Sequence, residues 1–140
     1  MKKIIVGVDG SEQSLNAARM AAEIAGGREG TLTLAYCIVP AVYPVEMAWT
    51  PPFDFEPKQL EAAEKILLQA REALPRRACR LESIVLRGPA AETLAEEAVA
   101  KDYDLVVIGT HGYGLVKRML MGSVASRLVH ICQKPTLVVR

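Results

Sequence analysis

Residues 104–112 read DLVVIGTHG, and this stretch decides the class of fold. The apolar run from Leu105 to Ile108 is too short for a helix, and its β-branched residues are typical of a strand buried on both faces of a parallel sheet. Gly109 and Gly112 follow and predict a turn where the strand ends. The same unit of strand and turn is expected wherever the chain repeats this pattern.

The pattern is repeated along the whole chain. Runs rich in β-branched residues predict strands, and runs with apolar residues at helical spacing predict helices between them. The predicted strands cover 4–8, 31–38, 79–86, 105–108 and 135–139, and the predicted helices cover 12–25, 58–74, 90–101 and 123–133. Such alternation favours parallel pairing through right-handed crossovers. We expect a single domain over residues 1–140, a doubly wound, Rossmann-like α/β fold with a five-stranded parallel sheet in the order 3-2-1-4-5 and helices on both faces.

Composition and charge limit the function. The 140 residues carry 17 basic and 16 acidic side chains, so no strong net field attracts nucleic acid or an anionic membrane. The first apolar run, from Ile4 to Val8, is too short for a signal peptide or a membrane span. The 3 cysteines are far apart and form no CxxC pair, which argues against a disulfide framework or a zinc site. We therefore expect a cytoplasmic protein that binds neither nucleic acid nor membrane.

Residues 40–57 interrupt the alternation of strands and helices. Prolines recur through this segment, together with Trp49, Phe53 and Phe55, and predict a long loop without regular structure. Loops of this length in compact domains are usually functional or disordered. Its role stays open at the level of sequence.

The glycines after residue 108 form the most informative motif. Gly109 and Gly112 are followed, after nine residues, by Gly122 and Ser123. Glycines let backbone N–H groups approach an anion closely, and a helix that opens at Ser123 would favour negative charge at its N-terminus. An equally weighted alternative is that the glycines only permit a sharp turn and that Ser123 is an N-cap.

With this motif the chain resembles the universal stress proteins, in particular the branch with the nucleotide pattern Gly-x2-Gly-x9-Gly-Ser/Thr. The resemblance extends to Asp9-Gly10-Ser11 after the first strand, to the Gly88-Pro89 turn and to the last strand. It implies a domain that binds ATP or another adenine nucleotide, with magnesium as a further candidate ligand. The nucleotide contacts that the resemblance implies are Gly7, Val8, Asp9, Cys37, Ile38, Gly109, Thr110, His111, Gly112, Tyr113, Gly114, Leu115, Gly122, Ser123 and Val124.

Asp9 is the one residue for which the resemblance implies a metal contact. Its carboxylate could equally accept a hydrogen bond from ribose or adenine, and the alternative is a structural role in capping the turn before the first helix. Lys117 and Arg118 could neutralise phosphate charge or be solvated surface charges. His111 has no sequence-local partner that would orient it as a general base, and His130 is interpreted as structural.

The resemblance implies a nucleotide-dependent switch that acts on an unknown protein partner in a stress response. The chain has no P-loop of the form GxxxxGK[ST], which argues against fast ATP hydrolysis. The alternatives are a slow ATPase or adenylate-handling enzyme, and a dimeric stress protein that binds no nucleotide. A phospho-receiver domain is disfavoured because Leu86-Arg87-Gly88 supplies no aspartate. The apolar last strand, residues 136–140, has no helix after it in the sequence and predicts a homodimer formed by strand pairing. The alternative is an edge that Pro135 and Arg140 protect from pairing.

Overall fold

The computed structural model describes residues 2–27, 29–39, 55–76, 79–111 and 121–140. Its strands are β1 Lys3–Gly7, β2 Thr31–Ile38, β3 Arg80–Arg87, β4 Leu105–Gly109 and β5 Thr136–Val139. Its helices are α1 Glu12–Gly26, α2 Phe55–Ala73, α3 Ala90–Ala100 and α4 Ser123–Ile131. The five strands are all parallel and lie in the order β3-β2-β1-β4-β5, which confirms the predicted sheet.

The helices cover both faces of the sheet and make two cores. On one face, α1 and α2 pack against Ile4, Val6, Leu32 and Leu34. On the other face, α3 and α4 pack against Ile5, Ala35 and Val106. The residues that α1 buries in the first core are five alanines: Ala17, Ala18, Ala21, Ala22 and Ala25. Small side chains bring this helix close to the sheet.

Gly109 shows how close that approach is. A Cβ atom added at Gly109 would lie 2.9 Å from both the carbonyl carbon and the carbonyl oxygen of Gln13. These are backbone atoms in the first turn of α1, so they cannot move aside as a side chain would. Gly109 therefore lets the start of α1 lie directly beside the end of β4.

Two predictions about helix starts are wrong. Residues 55–57 were expected in the proline-rich loop, but α2 begins at Phe55 and includes Pro57 in its first turn, where a proline is tolerated because its missing N–H would have no helical partner. Residues 40–54 lie outside the described residues. At α4 the N-cap is Gly122, and Ser123 is the first helical residue, so the interpretation of Ser123 as N-cap is also wrong.

At the amino ends of the strands, Asp104 joins β1 to the segment before β4. Its Oδ2 accepts hydrogen bonds from the backbone N–H groups of Lys2 and Lys3, at 2.8 and 2.9 Å. Nearby, the buried hydroxyl of Tyr103 donates to Thr33 Oγ1 at 3.1 Å. These contacts hold the edge of the sheet that lies opposite the candidate site. Within the described residues, no helix is long and apolar enough to cross a membrane.

The two edge strands differ in how they are protected. On β3, Arg71 Nη2 donates to the Leu81 carbonyl at 3.2 Å, and Arg80 pairs with Glu82 at 3.1 Å. Charged side chains of this kind discourage the pairing of an edge with another strand. On β5 the sequence from Thr136 to Val139 is TLVV, which carries no charge and is half-buried along its length. β5 is therefore the less protected edge in the part of the chain that the structure describes.

Candidate functional site

A cavity of about 450 Å³ opens at the carboxyl edge of the sheet. It lies at the ends of β1, β2 and β4, around the point where the strand order reverses between β1 and β4. Open α/β sheets bind ligands at this point because two neighbouring crossovers leave on opposite faces and leave a crevice between them. The described residues that line the cavity are Gly7, Val8, Asp9, Ser14, Ala35, Tyr36, Cys37, Val39, Ala90, Leu94, Ile108, Gly109, Thr110, His111, Gly122, Ser123, Val124 and Ala125.

The structure brings together ten of the residues expected to contact a nucleotide. These are Gly7, Val8, Asp9, Cys37, Gly109, Thr110, His111, Gly122, Ser123 and Val124. Ile38 differs, because it does not line the cavity and is 7% exposed in the core. The expected contacts of Gly112, Tyr113, Gly114 and Leu115 lie outside the described residues, as do Lys117 and Arg118.

Asp9 forms the turn between β1 and α1. Its Oδ1 accepts from the backbone N–H of Ser11 at 2.8 Å, and Gly10 in between has φ of +88°, a conformation that glycine adopts readily. Ser11 then caps α1, because its Oγ accepts from the N–H of Ser14 at 3.2 Å. Asp9 therefore caps the turn before α1, as its structural interpretation predicted. The same residue lines the cavity.

The described residues hold no group of three or more His, Cys, Asp or Glu side chains that could bind a metal ion. Magnesium needs no such group, because it is often bound by one or two carboxylates together with the phosphates of its substrate and water.

The N-terminus of α4 forms the polar end of the cavity. Its N-cap, Gly122, has no side chain that could satisfy the first N–H groups of the helix, and no acidic residue lies in the first turn. Ser123 and Val124 follow and line the cavity. The first N–H groups of a helix have no partner within the helix, and the helix dipole places partial positive charge there. This end of the cavity therefore favours an anion such as a phosphate.

Gly122 is held in place by a backbone contact to β4. Its N–H donates to the carbonyl of Thr110 at 2.5 Å, and the N–H of Thr110 donates in turn to the carbonyl of Val139 in β5 at 2.8 Å. Thr110 is 7% exposed. The start of α4 is thus fixed relative to the sheet by two consecutive hydrogen bonds.

The part of the cavity formed by the end of β2 and by α3 is mostly apolar, and we call it the apolar end. Ala35, Tyr36, Val39, Ala90 and Leu94 line this part. Sequence reasoning placed the end of β2 here but did not name these five as site residues. Ala35, Tyr36 and Val39 could have been found from their position beside Cys37. Ala90 and Leu94 belong to α3, and nothing in their sequence shows that this helix reaches the crevice.

Cys37 contributes a thiol to this apolar end. Burial raises the pKa of the Cys37 thiol to about 11 from an ordinary value of 9.0. Its Sγ lies 4.0 Å from the carbonyl oxygen of Ala90, a weak donor contact. The side chain is therefore a neutral, polarisable wall of the cavity at neutral pH.

The two histidines have different positions. His111 lines the cavity beside Thr110. His130 lies on the exposed side of α4, and its Nδ1 is 2.8 Å from the carbonyl oxygen of Ser126 in the preceding turn. This contact supports the structural interpretation of His130.

Comparison with known proteins identifies the family. All of residues 1–140 match the model of the universal stress protein family, so the chain belongs to that family. Universal stress protein MJ0531 of Methanocaldococcus jannaschii is 32% identical over 143 residues, which cover 99% of this chain and 82% of that protein. A universal stress protein of Thermus aquaticus is also 32% identical over 143 residues, which cover 99% of this chain and 98% of that protein.

Solved structures of the family share the fold. Universal stress protein UspA from Lactobacillus plantarum has a TM-score of 0.85 at 21% identity, with 99% of this chain and 98% of that chain covered. A universal stress protein in complex with cAMP has a TM-score of 0.68 at 22% identity, with 98% and 95% covered. The universal stress protein from Archaeoglobus fulgidus in complex with dAMP has a TM-score of 0.68 at 20% identity, with 100% and 98% covered.

Proposed function

We propose that this protein binds an adenine nucleotide, with ATP as the expected ligand, in the cavity at the carboxyl edge of its sheet. The observation that carries the proposal is the pairing of two unlike ends in one cavity. The uncapped start of α4 at Gly122 and Ser123 suits phosphate, and the apolar end around Cys37 and Val39 suits a base. The two relatives of like fold that were solved with cAMP and dAMP support an adenine nucleotide as the ligand class.

Within this site, each group has a defined task. Backbone N–H groups of Ser123 and Val124 bind the phosphates, and the Ser123 hydroxyl adds a donor. Asp9 accepts a hydrogen bond from the ribose or the base, or contacts a magnesium ion that the phosphates also hold. Gly109, Thr110 and the residues up to Leu115 contact ribose and phosphate.

We assign the protein the role of a nucleotide-dependent switch in a stress response. A partner protein would bind it with an affinity that depends on the bound nucleotide. Occupation of the cavity changes the free energy of the surfaces around it, which is how a bound nucleotide alters the affinity for another molecule. We place the protein in the cytoplasm, since Cys37, Cys79 and Cys132 are all free thiols. We also assign it a homodimer formed through residues 136–140, because the strand in this segment, Thr136–Val139, carries no charged side chain.

The test is a calorimetric titration of nucleotide-stripped protein with ATP and magnesium. Gly122→Val places a branched side chain beside the first N–H groups of α4, and we expect it to weaken binding at least tenfold. Gly27→Val is the matched control, because a Cβ at Gly27 meets only the Glu23 carbonyl oxygen at 3.7 Å and lies far from the cavity. Failure of the folded wild type to bind AMP, cAMP or ATP would refute the proposal.

One further variant in this titration and one separate assay define the site. Asp9→Asn keeps an oxygen that can accept from Ser11 but removes the charge, so a loss of magnesium dependence in this variant supports a metal contact. Phosphate release, measured over hours at saturating ATP, separates a binding protein from a slow ATPase.

A further inference from the structure

The hydrogen bonds of Thr110 connect the phosphate end of the cavity to the unprotected edge of the sheet. Its carbonyl accepts from Gly122 N–H, and its own N–H donates to the carbonyl of Val139. Gly122 is the N-cap of α4, and Val139 is the last residue of β5. One buried residue thus holds both the start of the anion-binding helix and the end of the edge strand.

The direction of the backbone groups in β5 shows which of them reach the edge. Val106 N–H donates to the Pro135 carbonyl and Thr110 N–H to the Val139 carbonyl, both across to β5. Since backbone groups alternate along a strand, Thr136 and Val138 direct their N–H and C=O groups away from β4. In the peptide group between Val139 and Arg140, the C=O of Val139 accepts a hydrogen bond from the N–H of Thr110. The N–H of Arg140 in the same group points away from β4, toward the open edge.

We propose that an adenine nucleotide in the cavity and pairing of β5 with a second copy of this chain strengthen each other through Thr110. This inference rests on the proposed function. β5 is held by a ladder on one side only, and such strands open locally at low free energy. Each opening of its last residues removes the acceptor of Thr110 N–H and loosens the residue that positions Gly122. A paired β5 opens less often, so it keeps the start of α4 in the geometry that binds phosphate.

The exposed edge of β5 favours pairing with β5 of a second copy of this chain. Strand pairing across a two-fold axis sets TLVV against an identical, uncharged TLVV, so no like charges meet. The other edge of the sheet offers no equivalent, because Arg71 already donates to the Leu81 carbonyl and charged side chains line β3. Hydrogen bonds also polarise one another. If the second copy accepts a hydrogen bond from the N–H of Arg140, the C=O of the same peptide group becomes a stronger acceptor for the N–H of Thr110.

Coupling between two binding events is reciprocal, so it is measured from both sides. Sedimentation equilibrium of the wild type, with and without saturating ATP and magnesium, should show a dimer dissociation constant at least fivefold lower with nucleotide, at the lower end of the usual range of couplings. Val138→Pro removes an outward N–H without breaking the β4 ladder, since Pro is tolerated where the N–H faces the edge. We expect this variant to be monomeric and to bind ATP at least fivefold more weakly than the wild-type dimer.

Two further variants make the result specific. Val138→Thr keeps the N–H and a β-branched side chain, and it should behave as the wild type. Val138→Lys keeps the N–H but sets like charges against each other across the two-fold axis, and it replaces the proline variant if that variant fails to fold. A dimer constant that ATP leaves unchanged, or a wild type that stays monomeric with ATP bound, overturns the coupling and leaves the nucleotide site standing. A wild type that binds no nucleotide overturns the proposed function and the coupling together.

Discussion

At the scale of single residues, Cys37 reports on the interior of the cavity. Burial raises the pKa of its thiol to about 11, and the thiolate is the form that reacts with alkylating agents. We expect the alkylation rate of Cys37 to keep rising with pH up to about 11, measured by iodoacetamide labelling and peptide mass spectrometry. In the urea-unfolded chain the rate should level off near the ordinary pKa of 9.0. A folded protein whose Cys37 also levels off there would contradict the burial.

The same pKa has a consequence for stability. Folding favours the neutral thiol, so the contribution of Cys37 is fully present below the unfolded pKa of 9.0. It decreases as the pH rises from there to about 11.

Single residues also show where sequence reasoning stopped. The spacing of Gly109 and Gly122 predicted a nucleotide contact at the carboxyl edge of the sheet, with a sharp turn as the alternative for Gly109. In the structure, Gly109 is explained by the backbone of Gln13, a contact between residues 96 positions apart along the chain that no local pattern contains. Ala90 and Leu94 were missed for the same reason, since only the packing of α3 brings them to the cavity.

At the scale of elements, the approach of α1 to β4 is sensitive to one methyl group. Gly109→Ala puts a Cβ 2.9 Å from two backbone atoms of Gln13, so either the helix or the strand must move. We expect the free energy of unfolding to fall by about 1–3 kcal/mol, measured by urea denaturation.

The control for this change is Gly27→Ala. The added Cβ meets only the Glu23 carbonyl oxygen at 3.7 Å, which is ordinary contact, and Gly27 has φ of −67°. Its stability should stay equal or rise by about 0.4–1 kcal/mol. Equal stability of Gly109→Ala and the wild type would show that α1 can move aside.

Elements were predicted well from sequence because their signals are local. The β-branched runs gave β2 over the bounds that the structure shows, and Ser11 marked the start of α1. The start of α2 was placed too late because its first residues include Pro57, which reads as a loop signal but is also compatible with a first helical turn. Proline alone does not distinguish these two contexts.

At the scale of the whole molecule, Asp104 links stability to pH. The backbone N–H groups of Lys3 and then Lys2 hold the pKa of its carboxyl below the ordinary 3.8. A depressed pKa means that the stabilisation is present above the unfolded value and is lost as the pH falls through the folded value. Asp104→Asn should therefore be less stable than the wild type at pH 7, and the difference should shrink below pH of about 4.

Urea denaturation at pH 7, 5, 4 and 3 measures this difference. Glu96→Gln serves as the control, because Glu96 is an exposed carboxylate on α3. A constant difference between Asp104→Asn and the wild type across the series would show that the carboxylate charge does not matter to folding.

The strand order 3-2-1-4-5 was also within reach of the sequence, since the resemblance to a known family and the handedness of crossovers leave few alternatives. The sequence shows that the last strand is apolar, but it could not show that a side chain of α2 reaches a backbone carbonyl at the other edge of the sheet. The guanidinium of Arg71 donates a hydrogen bond to the Leu81 carbonyl of β3. None of the four residues of β5 carries a charged side chain.

That inequality has a consequence for how many copies can associate. A sheet with two open edges can add subunits at both ends and grow into a filament. A sheet with one open edge can pair only once. Among the residues that the structure describes, β5 is the edge strand without charged side chains, and pairing with a second copy covers it. We expect association through β5 to stop at two subunits at any concentration. The guanidinium of Arg71, which already donates to a carbonyl of β3, prevents further copies from pairing with that other edge.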